Sequence, residues 1–169
     1  MAYTDYALGE DAKTIRFSTA VENRGIALSL AEQAHRTIRL FTTDMDPAVF
    51  DRAVLVEAMA RLAREHSRAR IHILVQDSGQ AVTQGHRLVE LARRLSSRVE
   101  IRKPIPEYRD LTENFMVVDG KGYLLRVQSQ RFDGQASFHD PFRCRELVGR
   151  FEEIWQRSHN DLQLRRLHL

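Results

Sequence analysis

Apolar and polar residues along this chain repeat with two periods, near 2 and near 3.6, and the switches between them mark out the elements. Ile15-Arg16-Phe17 alternates as a short strand. Thr19 and Glu22 have the spacing of a capping box and open a helix running to about His35, with Ile26, Leu30 and Ala34 on one face. Residues 37–43 are β-branched and apolar, a second strand. Asp46-Pro47 supplies an N-cap carboxylate and a proline at the first helical position. The helix it opens runs to about His66, with Leu55, Met59 and Leu62 turned inward. Residues 70–76 are nearly continuous in apolar side chains, as suits a strand covered on both faces. A helix over about 83–96 and a strand over 99–102 follow, and Pro104 and Pro106 make 103–111 a loop. Residues 115–118 and 123–130 predict two strands around an Asp119-Gly120 turn. Leu147, Phe151, Ile154 and Trp155 form the stripe of a last helix, and 162–169 alternate as a closing strand.

Strand and helix alternate four times before the hairpin. That order predicts an α/β fold, a mostly parallel mixed sheet with helices on both faces. Residues 1–14 read as a polar N-terminal arm and 15–169 as one domain, a length that a single core can serve.

Composition narrows the function classes. Apolar residues make up 43% of the chain, enough for a substantial core, yet no apolar run approaches the roughly 20 residues of a membrane helix. The opening Met1-Ala2-Tyr3-Thr4-Asp5 lacks the basic-then-apolar pattern of a secretory signal, so the cytoplasm is the expected compartment. The net charge is +3. Lysine supplies only Lys13, Lys103 and Lys121, so arginine makes up 23 of the 26 basic residues. Arginine grips phosphate in a bidentate way, which brings nucleic acid into consideration. The basic positions are spread along the chain rather than gathered in a block, and a tail carrying Arg157, His159, Arg165, Arg166 and His168 reads first as a solvated face. Nucleic acid is therefore not the favoured partner.

Candidate chemistry is sparse. Cys144 is the single cysteine and reads as a small packing residue rather than a nucleophile. None of the seven histidines has ligand spacing; His72 reads as a packed strand residue, and His139-Asp140 earns no role. Asp44, Asp46 and Asp77 follow strand ends, where open α/β sheets bind ligands and where paired carboxylates could hold Mg²⁺. Their contexts fit capping better, Asp46 before Pro47 and Asp77 in a turn with Ser78-Gly79. Gly120-Lys121-Gly122 is a turn, not a phosphate cradle. No metal and no cofactor are expected.

One ordered set of pieces goes further. Phe115-Met116-Val117-Val118-Asp119-Gly120 resembles the strand, aspartate and glycine that end the H-x-K-x-x-x-x-D signature of phospholipase-D-like domains. Phe151-Glu152-Glu153-Ile154-Trp155 resembles that family's terminal F-x-x-x-W helix, and 39–43 and 71–75 its earlier strands. The resemblance covers roughly residues 15–160 and implies one half of a phospholipase-D-like fold. It points to a bacterial branch of that superfamily, for which likeness implies a fold more than an activity.

The departures bear on function. Anchoring on Asp119 puts Thr112 where the family has histidine and Asn114 where it has lysine. The G-S-x-N element of the return strand falls near Arg126-Val127-Gln128-Ser129, which does not match it. The family's chemistry, as the resemblance implies it, needs an imidazole to attack phosphorus, a second to protonate the leaving oxygen, and lysine to hold the phosphate charge. Threonine here has no base to activate it, and asparagine carries no charge, so no catalytic residue is expected. Thr112, Asn114, Arg126 and Gln128 become ligand-binding candidates: the period of two puts 112 and 114 on one strand face and 126 and 128 on the returning one. Arg126 then either replaces the lysine as an anion contact or pairs with a surface carboxylate.

The reading is a non-catalytic binding or regulatory module, taking a small anionic ligand or a protein partner. The alternatives are a phosphodiesterase or nuclease with a rearranged site, and an arginine-driven nucleic-acid-binding protein. Family members with one signature per chain pair two copies, so a homodimer is expected, which light scattering distinguishes from a monomer.

Overall fold

The computed structural model describes residues 3–161 and Leu164. Eight strands form one sheet, in the order β1-β7-β6-β5-β2-β3-β4-β8. They are β1 (Ile15–Phe17), β2 (Thr37–Thr42), β3 (Arg70–Val75), β4 (Val99–Pro104), β5 (Asn114–Val118), β6 (Gly122–Arg126), β7 (Gly134–Ser137) and β8 (Ser158–Asn160). The helices are α1 (Ala20–Glu32), α2 (Pro47–Phe50), α3 (Ala53–Glu65), α4 (Gly79–Gln84), α5 (Arg87–Arg94) and α6 (Pro141–Gln156). The expected mixed sheet with helices on both faces is present. Its parallel part is confined to β2-β3-β4; the other five pairings among the described residues are antiparallel. The antiparallel share exceeds the expectation because the hairpin does not end the sheet: β7 adds to it, and β1 crosses to its outer edge.

Two apolar layers follow from the alternation of side chains along the strands. Ile38, Leu40, Met116, Val118, Leu124 and Ala136 face one way and bury against α1, α3 and α5. Phe41, Phe115, Val117, Tyr123 and Leu125 face the other way, under α6, whose Leu147, Phe151, Ile154 and Trp155 supply the predicted stripe. Each layer hides its sheet face from water at roughly 25 cal/mol per Å² of apolar surface.

Local chemistry sets most of the helix starts. The Thr19 hydroxyl accepts from the Glu22 N–H at 3.1 Å, and the Glu22 carboxylate accepts from the Ser18 N–H, a capping arrangement like the one expected. Asp46 caps α2, and Asp140 caps α6 ahead of Pro141. Two helices expected to be continuous are broken. The 47–66 helix divides at Asp51-Arg52, where Arg52 is extended and the Asp51 carboxylate accepts from the Arg87 N–H at 3.0 Å. The 83–96 helix divides at Gly85, with φ 80°, and His86. There the imidazole Nδ1 accepts from the Leu88 N–H at 3.1 Å and Nε2 donates to the Met45 carbonyl at 2.8 Å, tying the start of α5 to the β2–α2 loop.

The N-terminal segment, polar in sequence, packs on the domain. Tyr3 lies in the core, Tyr6 stacks on Phe138 at 5.3 Å, and Gln33 bonds the backbone of Tyr6 and Leu8. β6 ends at Arg126 rather than running to 130, and β7 was not anticipated. At Gly134 of β7 an added Cβ would lie 2.2 Å from the Leu125 carbonyl oxygen, so only glycine lets β7 approach β6 this closely. The closing strand expected over 162–169 lies outside the described residues apart from Leu164.

Candidate functional site

β5 and β6 pair so that Asn114 sits directly across from Arg126. Both lie on the α1–α3 side of the sheet, at the end where β2 and β3 finish. That end is where an open α/β sheet presents its ligand crevice. Neither residue meets solvent there: each is 2% exposed.

Arg126 is bonded through all three of its nitrogens. Nε donates to the Arg131 carbonyl at 2.8 Å, Nη1 to the Asp46 carboxylate at 2.8 Å, and Nη2 to the Ser129 carbonyl. Its guanidinium lies 5.1 Å from the centre of the Phe132 ring. Of the two roles expected for Arg126, the carboxylate pair is the one formed, with the guanidinium buried and Asp46 half-buried rather than on the open surface. Asp46 does two jobs, since its other oxygen accepts from the Ala48 N–H at 3.2 Å to cap α2. Beside this pair the Asn114 carboxamide is buried with neither Nδ2 nor Oδ1 in a hydrogen bond.

Thr112 lies just outside β5. Its hydroxyl donates to the Val127 carbonyl at 3.1 Å, and its own carbonyl accepts from the Ser129 N–H at 2.7 Å. Ser129 in turn accepts from the Thr43 hydroxyl at 3.1 Å. Gln128 is exposed and turns away from Arg126. It lines a separate cavity of about 470 Å³ with Arg16, Arg131, Gln135 and Arg143. The four sequence candidates thus divide: Asn114 and Arg126 are neighbours in a closed environment, Thr112 braces the loop after β6, and Gln128 belongs to an open groove. A concavity built around Arg126 was the expectation. The protein's own Asp46, Ser129 and Arg131 occupy the guanidinium instead.

His72 and His86 are engaged in packing and capping rather than with Arg126 or Asn114. His72 stacks on Trp155 at 4.2 Å on the α6 side of the sheet, and burial pushes its pKa down. His86 is held under Met45, and burial lowers its pKa as well. Cys144 is buried in α6 with its thiol pushed up to about 12 by burial, as fits the packing role expected of it. Asp77 accepts from the Gly79 N–H and Asp44 from the Asp46 N–H, so both behave as turn residues. No three metal-ligating side chains converge among the described residues. No helix among them is long and apolar enough to cross a membrane.

Asp119 adopts φ 55°, a left-handed turn position that aspartate tolerates. Its carboxylate accepts from the backbone N–H groups of His35 at 2.8 Å, Arg36 at 2.8 Å and Thr37 at 2.9 Å. It works at the opposite end of β5 from Asn114 and braces the hairpin turn against the start of β2.

The buried Asp46–Arg126 pair escaped sequence reasoning. Its partners stand 80 residues apart, and Asp46 carried a sufficient local explanation as a cap. The available signal was Arg126 itself, a charge closing the apolar strand Tyr123-Leu124-Leu125.

Comparison with known proteins agrees with this architecture. TrmBL2, described as an archaeal chromatin protein with a novel mode of DNA binding, superposes with a TM-score of 0.64 at 11% identity over 88% of this chain. The chain spans 54% of the length of TrmBL2. Nuc from Salmonella typhimurium, a phospholipase D family member, gives a TM-score of 0.61 at 10% identity, covering 88% of this chain and 99% of its own. NucT from Helicobacter pylori gives 0.63 at 9% identity with the same coverage. No curated protein sequence matches. The fold is thus phospholipase-D-like, as the resemblance implied. Residues 19–167 match the model of the family described as "Domain of unknown function (DUF7931)", and the chain belongs to that family.

Proposed function

We propose that this chain is a non-catalytic binding module on a phospholipase-D-like scaffold. The observation that carries the reading is the Asp46–Arg126 pair, 2.8 Å apart, with the guanidinium buried and the carboxylate half-buried, at the strand ends where a phosphate would have to enter. Phosphoryl transfer through a covalent intermediate needs a nucleophile with a base beside it and an acid for the leaving oxygen. The Thr112 hydroxyl is engaged with the Val127 carbonyl, which accepts but does not deprotonate. Asn114 can neither attack nor carry charge. His72 is committed to a stack on the far side of the sheet. A catalytic cycle here would first have to unseat Asp46 from a guanidinium it neutralises.

Turnover of bis-p-nitrophenyl phosphate, phosphatidylcholine and single-stranded DNA by the purified chain tests this. The expected result is no cleavage above a buffer control. Activity that co-purifies with the protein and disappears in Thr112→Ala or His72→Ala would overturn the reading in favour of a rearranged phosphodiesterase or nuclease site.

One observation favours a second reading. TrmBL2 is described as a DNA-binding chromatin protein, and this chain has the same fold and 23 arginines. Binding to nucleic acid through arginines would weaken linearly in log affinity with log salt, and a flat salt response would exclude it.

A further inference from the structure

We infer that the groove between the β1 edge of the sheet and the start of α6 binds a phosphorylated ligand of nucleotide size. The inference deepens the binding-module reading and rests on it. α6 covers β5 and β6 but leaves the outer rows of the same sheet face open. Register places Leu125, Gln135 and Arg16 side by side across β6, β7 and β1. Ile15, Phe17 and Ala136, the alternate positions, are buried in the opposite layer, so Arg16 and Gln135 project toward the α6 side. Arg143 reaches the groove from the first turn of α6, and Arg131 and Gln128 from the loop after β6. The space is about 470 Å³, within the roughly 300–1,000 Å³ of small-molecule sites.

The lining has the three chemistries such a ligand needs. Three guanidinia, from Arg16, Arg131 and Arg143, stand against one lining carboxylate, Asp133. Arg131 bonds Asp133 at 2.8 Å, but both side chains are more than half exposed, so the pair is worth little and exchanges readily. Arg143 meets Glu146 only at 3.4 Å, and its buried Nε has no partner. Arg16 makes no ion pair among the described residues. Guanidinia held open in this way match phosphate oxygens, which they bind as forks. Gln128 and Gln135 add carboxamides, each able to donate and accept, suited to the edge of a base. The 61%-exposed Val127 offers an apolar surface for its face, and the buried Leu125 closes the lining. Arg126 takes part from behind: by gripping the Ser129 and Arg131 carbonyls it fixes the loop that carries Gln128 and Arg131.

Isothermal titration of the purified chain with adenosine diphosphate tests the site. The expected result is saturable binding that weakens about tenfold in Arg16→Ala and in Arg143→Ala, one charged hydrogen bond each. Arg61→Ala, exposed on α3 in the other layer, leaves it unchanged. Inorganic pyrophosphate competes and adenosine does not. Circular dichroism melts of every variant separate lost contacts from lost structure. No saturable binding at millimolar nucleotide, or binding indifferent to Arg16 and Arg143, overturns the inference. So does adenosine binding as tightly as the diphosphate. An oligothymidylate that outcompetes the diphosphate at equal phosphate concentration, through the same arginines, replaces it with a nucleic-acid groove. Phosphodiester turnover in the earlier assay would overturn the non-catalytic reading alone. Failure of the titration would overturn this site alone.

Discussion

Replacing Arg126 by methionine removes one charge and three hydrogen bonds from a place that water does not reach. The side chain is 2% exposed and its partner Asp46 15%. The variant keeps an unbranched apolar stem but loses the guanidinium that lies over the Phe132 ring. It leaves the Ser129 and Arg131 carbonyls and the Asp46 carboxylate without their donor. Breaking a buried pair from one side costs about 3–5 kcal/mol, because the remaining charge stays desolvated without compensation. Against a total stability of about 5–15 kcal/mol that is a large share. For a chain of this length it corresponds to a melting temperature lower by roughly 6–20 °C. Asp46→Asn strands the guanidinium instead, the more buried of the two charges, so its cost falls in the same range of about 3–5 kcal/mol even though the amide oxygen can still cap α2. The double variant has no charge left to strand, so its loss should fall short of the sum by about 1–2 kcal/mol. Urea unfolding at pH 7, followed by the single tryptophan, Trp155, measures all three as shifts in midpoint at constant slope. A loss below about 1 kcal/mol for Arg126→Met, or strict additivity in the double variant, would refute the argument that this pair is a closed internal clip.

Two further outcomes follow from titrating groups. Burial lowers the pKa of both His72 and His86 below the ordinary 6.5, so the unfolded chain binds protons that the folded one refuses. Their contribution to stability is full above pH 6.5 and is lost as the pH falls from there toward their folded values. The melting temperature should therefore drop on acidification from pH 7.5 to 5.5, and His86→Asn, which can still cap α5, should flatten part of that slope; an unchanged slope would show that His86 is not the titrating group. The Cys144 thiol, buried and pushed up to about 12, should react with a disulfide reagent at pH 8 only as fast as the protein unfolds. Labelling at the rate of a free thiol would contradict that burial.

Legibility in the sequence tracked the range of the interactions involved. Thr19 with Glu22, Asp46 with Pro47, and Asp119 with Gly120 are contacts within a few residues. Their elements could be read directly, as could the Leu147–Phe151–Ile154–Trp155 stripe of α6. The helix breaks at Asp51 and His86 could not, because each is enforced from elsewhere: Arg87 holds Asp51, and Met45 holds His86. β7 lacks the β-branched and aromatic residues that announce a strand, and it exists because β6 and β1 pair on its two sides. At the candidate site, register did bring Asn114 opposite Arg126. The acid that closes on the arginine arrives from the β2–α2 loop, and no periodicity in 112–128 carries that information.

Asp119 separates two kinds of motif residue. Its carboxylate takes three backbone N–H groups that would otherwise lie at a turn with no acceptor. That task is independent of any substrate. A side chain that serves only a bound phosphate can be exchanged without opening the scaffold; an aspartate that staples a turn cannot. The fragment through which this chain resembles a family of phosphodiesterases is thus the part of the signature that reports architecture. A pattern keyed to that aspartate collects scaffolds, and one keyed to the histidine collects catalysts.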